Sequence, residues 1–89
     1  MGDVGSQLLT PTLVRAARAL LAYDQATLAA KTGISKKTIG LIETMDSVPT
    51  DVRRRRVLEE LRTKMEEELK VEFIFASAQS GEGVRIRRT

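Results

Sequence analysis

Three consecutive residues, Gly33-Ile34-Ser35, constrain this chain more than any other feature. Glycine enters the left-handed backbone region without a Cβ clash, so it stops a helix. Serine accepts a hydrogen bond from the free N–H groups of a first turn, so it starts one. A stop and a start this close confine the chain to two short helices joined by a tight turn. The first has its own start at Asp24 and spans Gln25 to Thr32, with Leu28 and Ala29 inward. The second spans Lys36 to Glu43, with Ile39 and Ile42 on its buried side. Two short helices around a tight Gly-containing turn form the pattern of a helix-turn-helix.

The flanking sequence supplies the rest of the domain. Thr10 caps a preceding helix and Pro11 suits its first position. Leu13, Ala17, Leu20 and Leu21 then follow helical spacing, Arg15 and Arg18 lie off that face, and the helix is expected to end near Tyr23. Thr44 to Pro49 reads as a polar loop. Thr50 is expected to cap a longer helix reaching about Lys70, with Val57 or Leu58, then Leu61, Met65 and Leu69, as its apolar stripe. Beyond Lys70 the period becomes alternating. Val71, Phe73 and Phe75 share one face, Ser77 to Gly83 forms a turn, and Val84 and Ile86 alternate with Arg85 and Arg87, which predicts a β-hairpin. The expected division is a flexible tail over residues 1–9, a helix-turn-helix domain over 10–70 and a hairpin over 71–89. The rings are Tyr23, Phe73 and Phe75, so the core must be aliphatic.

Composition removes several functions. The 89 residues contain no cysteine and no histidine, which excludes disulfides, thiolate sites and the commonest general base. An enzyme would have to work with carboxylates, lysines, Tyr23 or hydroxyls, and no nucleophile–base pair stands out. Gly81-Glu82-Gly83 is too short and misplaced for a phosphate loop. The expectation is a non-enzyme with no cofactor, no metal and no small-molecule effector. Fifteen Lys and Arg against twelve Asp and Glu give a net charge of +3. With a pI of about 9.7, this balance fits a polyanionic partner. No apolar run reaches the ~18 residues of a membrane span, and no secretion signal is visible, so a cytoplasmic location is expected. Met1-Gly2-Asp3-Val4-Gly5-Ser6 matches a loose myristoylation pattern, but a lone acyl chain anchors only weakly and the segment reads as ordinary tail.

Burying Ile39 and Ile42 turns Lys36, Lys37, Gly40 and Leu41 outward. Two cations then sit near a helix N-terminus, where the dipole disfavours each by roughly 0.3–1 kcal/mol. An anionic partner would offset that cost; a merely solvated face is the plainer reading. The run Arg53-Arg54-Arg55-Arg56 also lies in the first turns of a helix. Four adjacent helical residues spread around the circumference, so Arg53 and Arg56 are expected to reach phosphate while the others pair with Glu59 and Glu60 or face solvent. Glu66-Glu67-Glu68 would repel DNA and should point away from it.

The segment from Gln25 to Glu43 resembles the Cro/CI-type helix-turn-helix family, often called the XRE family. The resemblance is carried by Gln25, Leu28-Ala29, Gly33-Ile34-Ser35, Thr38-Ile39 and Ile42-Glu43. It implies a mainly α fold, a four-to-five-helix domain followed here by the β-hairpin, that binds double-stranded DNA as a transcriptional regulator. The second helix of the motif would lie in the major groove. Lys36 and Lys37 would then meet base edges, where lysine suits guanine O6 and N7. Gly40 would let the backbone approach, and Leu41 would touch a thymine methyl. Gln25, Ser35 and Thr38 would serve the DNA backbone. Two positions depart from the usual pattern: Asp24 replaces a neutral serine, and the loop after Glu43 lacks an early glycine.

A hairpin of two strands is marginal alone and offers open edges. Val71, Phe73, Phe75, Val84 and Ile86 are therefore expected to form a homodimer interface suited to an inverted-repeat operator. The alternative is a wing packed on the chain's own helices, with Val84-Arg85-Ile86-Arg87-Arg88 near DNA backbone. A rival function is a protein-binding module, an antitoxin or antiactivator; the lysines of the outward face favour DNA.

Overall fold

The computed structural model describes residues 8–87. Four helices, α1 (Pro11–Leu21), α2 (Gln25–Thr32), α3 (Lys36–Glu43) and α4 (Val52–Glu68), precede two strands, β1 (Val71–Ile74) and β2 (Gly83–Ile86). The strands pair antiparallel, with Val71 opposite Ile86 and Phe73 opposite Val84. The fold is mainly helical and ends in a hairpin, as the alternation after Lys70 indicates.

Capping explains where each helix begins. The Thr10 hydroxyl accepts from Leu13 N at 3.2 Å, Asp24 Oδ1 from Thr27 N at 2.7 Å and Ser35 Oγ from Thr38 N at 3.1 Å. The cap of α4 is Asp51, one residue after the expected Thr50: its carboxylate accepts from Arg53 N at 3.0 Å. Gly33 ends α2 at φ 77, in the left-handed region. α1 stops short of Tyr23, because Ala22 adopts φ 59 and sends its N–H back to the Ala19 carbonyl.

The core is aliphatic apart from Phe73. Leu13, Val14 and Ala17 of α1, Leu28 of α2, Ile39 and Ile42 of α3, and Leu58, Leu61 and Met65 of α4 are all buried. At the ambiguous position of the α4 stripe, Leu58 is buried and Val57 only partly so. Two expectations about α1 are corrected. Leu20 is 53% exposed, in the last turn of α1, beyond the buried Leu13, Val14 and Ala17. Arg18 is not off the packed face but half-buried against Glu43. The domain also starts earlier than residue 10: Leu9 is 2% exposed within the core. The rest of the expected tail, including the myristoylation pattern, lies outside the described residues.

The hairpin packs on its own helices. β2 lies along α1 and β1 along α4. Val71 and Phe73 belong to the core, while Phe75, past the end of β1, and Val84 pack against it partly buried. Ile86 remains 38% exposed. Polar ties reinforce the docking: the Thr10 hydroxyl donates to the Glu82 carboxylate at 2.9 and 3.0 Å, and the Arg87 guanidinium donates to the Glu66 carbonyl at 2.7 Å. Of the face expected to seal a dimer, Val71 and Phe73 are consumed within one chain. Within the chain Val71 and Phe73 gain the burial, roughly 1.5–3 kcal/mol each, while Phe75, Val84 and Ile86 stay partly open. Among the described residues no helix is long and apolar enough to cross a membrane.

Candidate nucleic-acid interface

The geometry of α3 is fixed from its C-terminal end. Glu43, the last residue of α3, is buried. Its carboxylate accepts from Arg18 Nε at 2.7 Å and Arg18 Nη2 at 2.8 Å, and from Gln25 Nε2 at 3.0 Å. Its carbonyl accepts from Arg15 Nη1 at 2.6 Å. Arg18 also reaches the Tyr23 carbonyl at 3.2 Å. Burial by itself would raise the Glu43 carboxyl; the hydrogen bonds from Arg18 and Gln25 and the charges of Arg18 and Arg15 outweigh it and hold the group below the usual carboxylate range. A carboxylate at a helix C-terminus opposes the dipole, and the guanidinium beside it removes that conflict. One side chain therefore joins α1, the start of α2 and the end of α3.

Gln25, expected at the DNA backbone, also takes part in this lock. Its amide N–H donates inward to Glu43, because a buried carboxylate needs donors on both oxygens. Arg15 and Arg18 were not singled out as part of this region; their three-residue spacing on one side of α1 is the signal that could have found them.

The outward side of α3 carries the remaining site residues. Lys36, Lys37 and Leu41 are exposed, and Gly40 and Thr38 half-buried. No acid lies within ion-pair distance of either lysine among the described residues. Asp24, the cap of α2, lies within electrostatic reach of Lys36. Its carboxyl is held below the usual range, first by the Thr27 backbone N–H it accepts from, then by the Thr27 side chain, with smaller help from Lys36 and Arg18. Ser35 and Thr38 are partly committed to each other: the Ser35 hydroxyl donates to Thr38 Oγ1 at 2.8 Å.

Gly40 has no steric reason inside the chain to be glycine. A Cβ built there would meet only Gln25 Oε1, at 3.8 Å, an ordinary contact.

In the arginine run, Arg53, Arg54 and Arg56 are exposed and Arg55 half-buried. Of the two alternatives for the run, pairing with Glu59 and Glu60 or facing solvent, no ion pair with either acid forms; the i,i+4 pair on α4 is Arg62–Glu66 at 2.8 Å. The basic strand of the hairpin is largely spent internally. Arg85 pairs across the sheet with Glu72 at 2.7 Å, Arg87 holds the Glu66 carbonyl, and Arg88 lies outside the described residues.

The chain is thus a small helical domain closed by a C-terminal hairpin, with two unpaired cations at the exposed start of α3. In comparisons with known proteins, no family model, no curated protein and no solved structure matches it.

Proposed function

We propose that this chain is a sequence-specific double-stranded DNA-binding regulator that lays α3 in the major groove. The observation that carries this reading is the exposure of Lys36 and Lys37, without acidic partners among the described residues, on a helix whose other end is locked by Arg18 on the buried Glu43. Exposed cations on a rigid helix meet the two needs of readout: attraction to phosphate and a fixed register against base edges. Lys36 and Lys37 address guanine edges, Gly40 admits a close backbone, and Leu41 covers a thymine methyl. Ser35 and Thr38 lie at the groove margin. Two copies on a two-fold site would place their α3 helices about 34 Å apart, and occupancy of such a site would repress transcription by excluding other proteins.

The test is selection from a random duplex library with the intact protein, followed by binding of the selected sequence by Lys36→Ala and Lys37→Ala variants. The reading expects enrichment of one motif. It also expects each variant to lose about 1–3 kcal/mol at that motif and less on random duplex. A protein that enriches nothing, and whose weak DNA binding ignores salt, would instead be a protein-binding module.

A further inference from the structure

The arginine run has one member whose position relative to α3 is defined. Between the end of α3 and the start of α4 lies an open cleft of about 320 Å³, whose walls include Leu41, Thr44, Asp46, Pro49 and Arg54. Leu41 is 52% exposed and belongs to the outward side of α3. Arg54 closes the opposite wall from the first turn of α4 and is exposed, and no ion pair joins it to Asp46 or to any other described acid. The Thr44 hydroxyl is turned back as a donor to the Gly40 carbonyl at 3.0 Å and the Leu41 carbonyl at 3.3 Å, so Arg54 is the charged donor lining the cleft, with the Ser47 hydroxyl beside it. Arg53 and Arg56, the members expected to reach phosphate, do not line it.

We propose that this cleft is a phosphodiester subsite: the strand whose base meets Leu41 runs its phosphate across the cleft, where the Arg54 guanidinium takes the phosphate oxygens. The proposal rests on the DNA-binding reading of α3. A guanidinium offers two parallel N–H donors to a phosphate, and a neutral base contact at Leu41 needs a backbone contact beside it to fix register. Asp46 stands in the same cleft as a like charge to the phosphate and tempers the affinity.

The experiment measures the salt dependence of binding of the intact protein to its selected duplex, with Arg54→Ala, Arg54→Lys, Arg53→Ala, Arg56→Ala and Asp46→Asn. Each phosphate neutralised contributes about 0.9 to the slope of log affinity against log salt. Arg54→Ala is expected to lower the slope by that amount and to weaken binding roughly eightfold near 0.1 M salt. Arg54→Lys should keep the slope but regain only part of the affinity, and Asp46→Asn should bind more tightly than wild type. Arg53→Ala and Arg56→Ala should leave the slope unchanged. An unchanged slope for Arg54→Ala, with circular dichroism showing a folded variant, overturns the subsite. If Lys36→Ala and Lys37→Ala still lose motif discrimination in that case, the DNA reading stands without it. If wild type binds no duplex, both fall.

Discussion

Arg18 and Glu43, 25 positions apart, meet in a two-pronged ion pair at 2.7 and 2.8 Å that closes α1 onto the end of α3. Removing Arg18 leaves a buried carboxylate with Gln25 as its remaining side-chain donor. Arg18→Ala should therefore cost about 1–3 kcal/mol. Replacing both partners by apolar residues, as in Arg18→Met with Glu43→Leu, should cost less than the sum of the single changes, because no charge is then stranded. Urea unfolding of the two single variants and the double variant measures this coupling. Strict additivity would mean that the two side chains do not stabilise each other.

The same pair predicts an acid-sensitive fold. The folded Glu43 carboxyl lies below its unfolded value. Its contribution is therefore complete above the ordinary glutamate pKa of about 4.3 and is lost as pH falls through the depressed folded value. Asp24 and Glu72 shift in the same direction, but both are solvated and count for little. Thermal melts between neutral and strongly acid pH should show wild type losing stability on the acid side. Glu43→Gln should begin less stable and decline less. Parallel acid-side curves for the two proteins would dissociate the effect from Glu43.

Much of the fold was legible because it rests on local signals. Asp24, Gly33 and Ser35 act through backbone groups within four residues of themselves, so they can be read without knowing the tertiary structure. Arg18 could not be read that way, since its partner is on another helix and nothing local separates a buried arginine from a solvated one. The hairpin's periodicity was visible but its destination was not, because Val71 and Phe73 look the same whether α4 or a second chain covers them. On α3 the outward residues follow from the burial of Ile39 and Ile42. The inward turn of Gln25 follows only from Glu43.

Gly40 and Gly33 should respond oppositely to alanine. At Gly40 the added Cβ fits and the helix gains propensity, so Gly40→Ala should stabilise by about 0.8–1 kcal/mol yet weaken binding to duplex by crowding the groove. At Gly33, with φ 77, Gly33→Ala should destabilise by roughly 1–2 kcal/mol. Melting and gel-shift measurements on both variants check the contrast. A Gly40→Ala protein that binds duplex as tightly as wild type would show that no partner approaches that backbone.

Shortening the chain after Lys70 should abolish folding, because it removes Val71 and Phe73 from the core. Phe73→Ala alone should cost about 3–5 kcal/mol. Ile86→Ala, at a side chain 38% exposed, should cost far less. Circular dichroism of the truncated chain and urea titration of the two variants suffice. A truncated chain that keeps a cooperative melt would return the hairpin to the status of an accessory.

The bond from Thr10 to Glu82 spans 72 positions, and it joins the residue that starts the first helix to the loop between the last two strands. On the ribosome the second of these residues emerges 72 positions after the first. Helix α1 can form early, but β2, the strand that lies along it, emerges only after α4. Contacts this distant in sequence slow folding relative to a bundle stitched only by neighbours. A nascent or prematurely terminated chain therefore presents the apolar side of α1 without its cover, as a substrate for chaperones and proteases. Once β2 has been made, it covers that side of α1 and closes the domain.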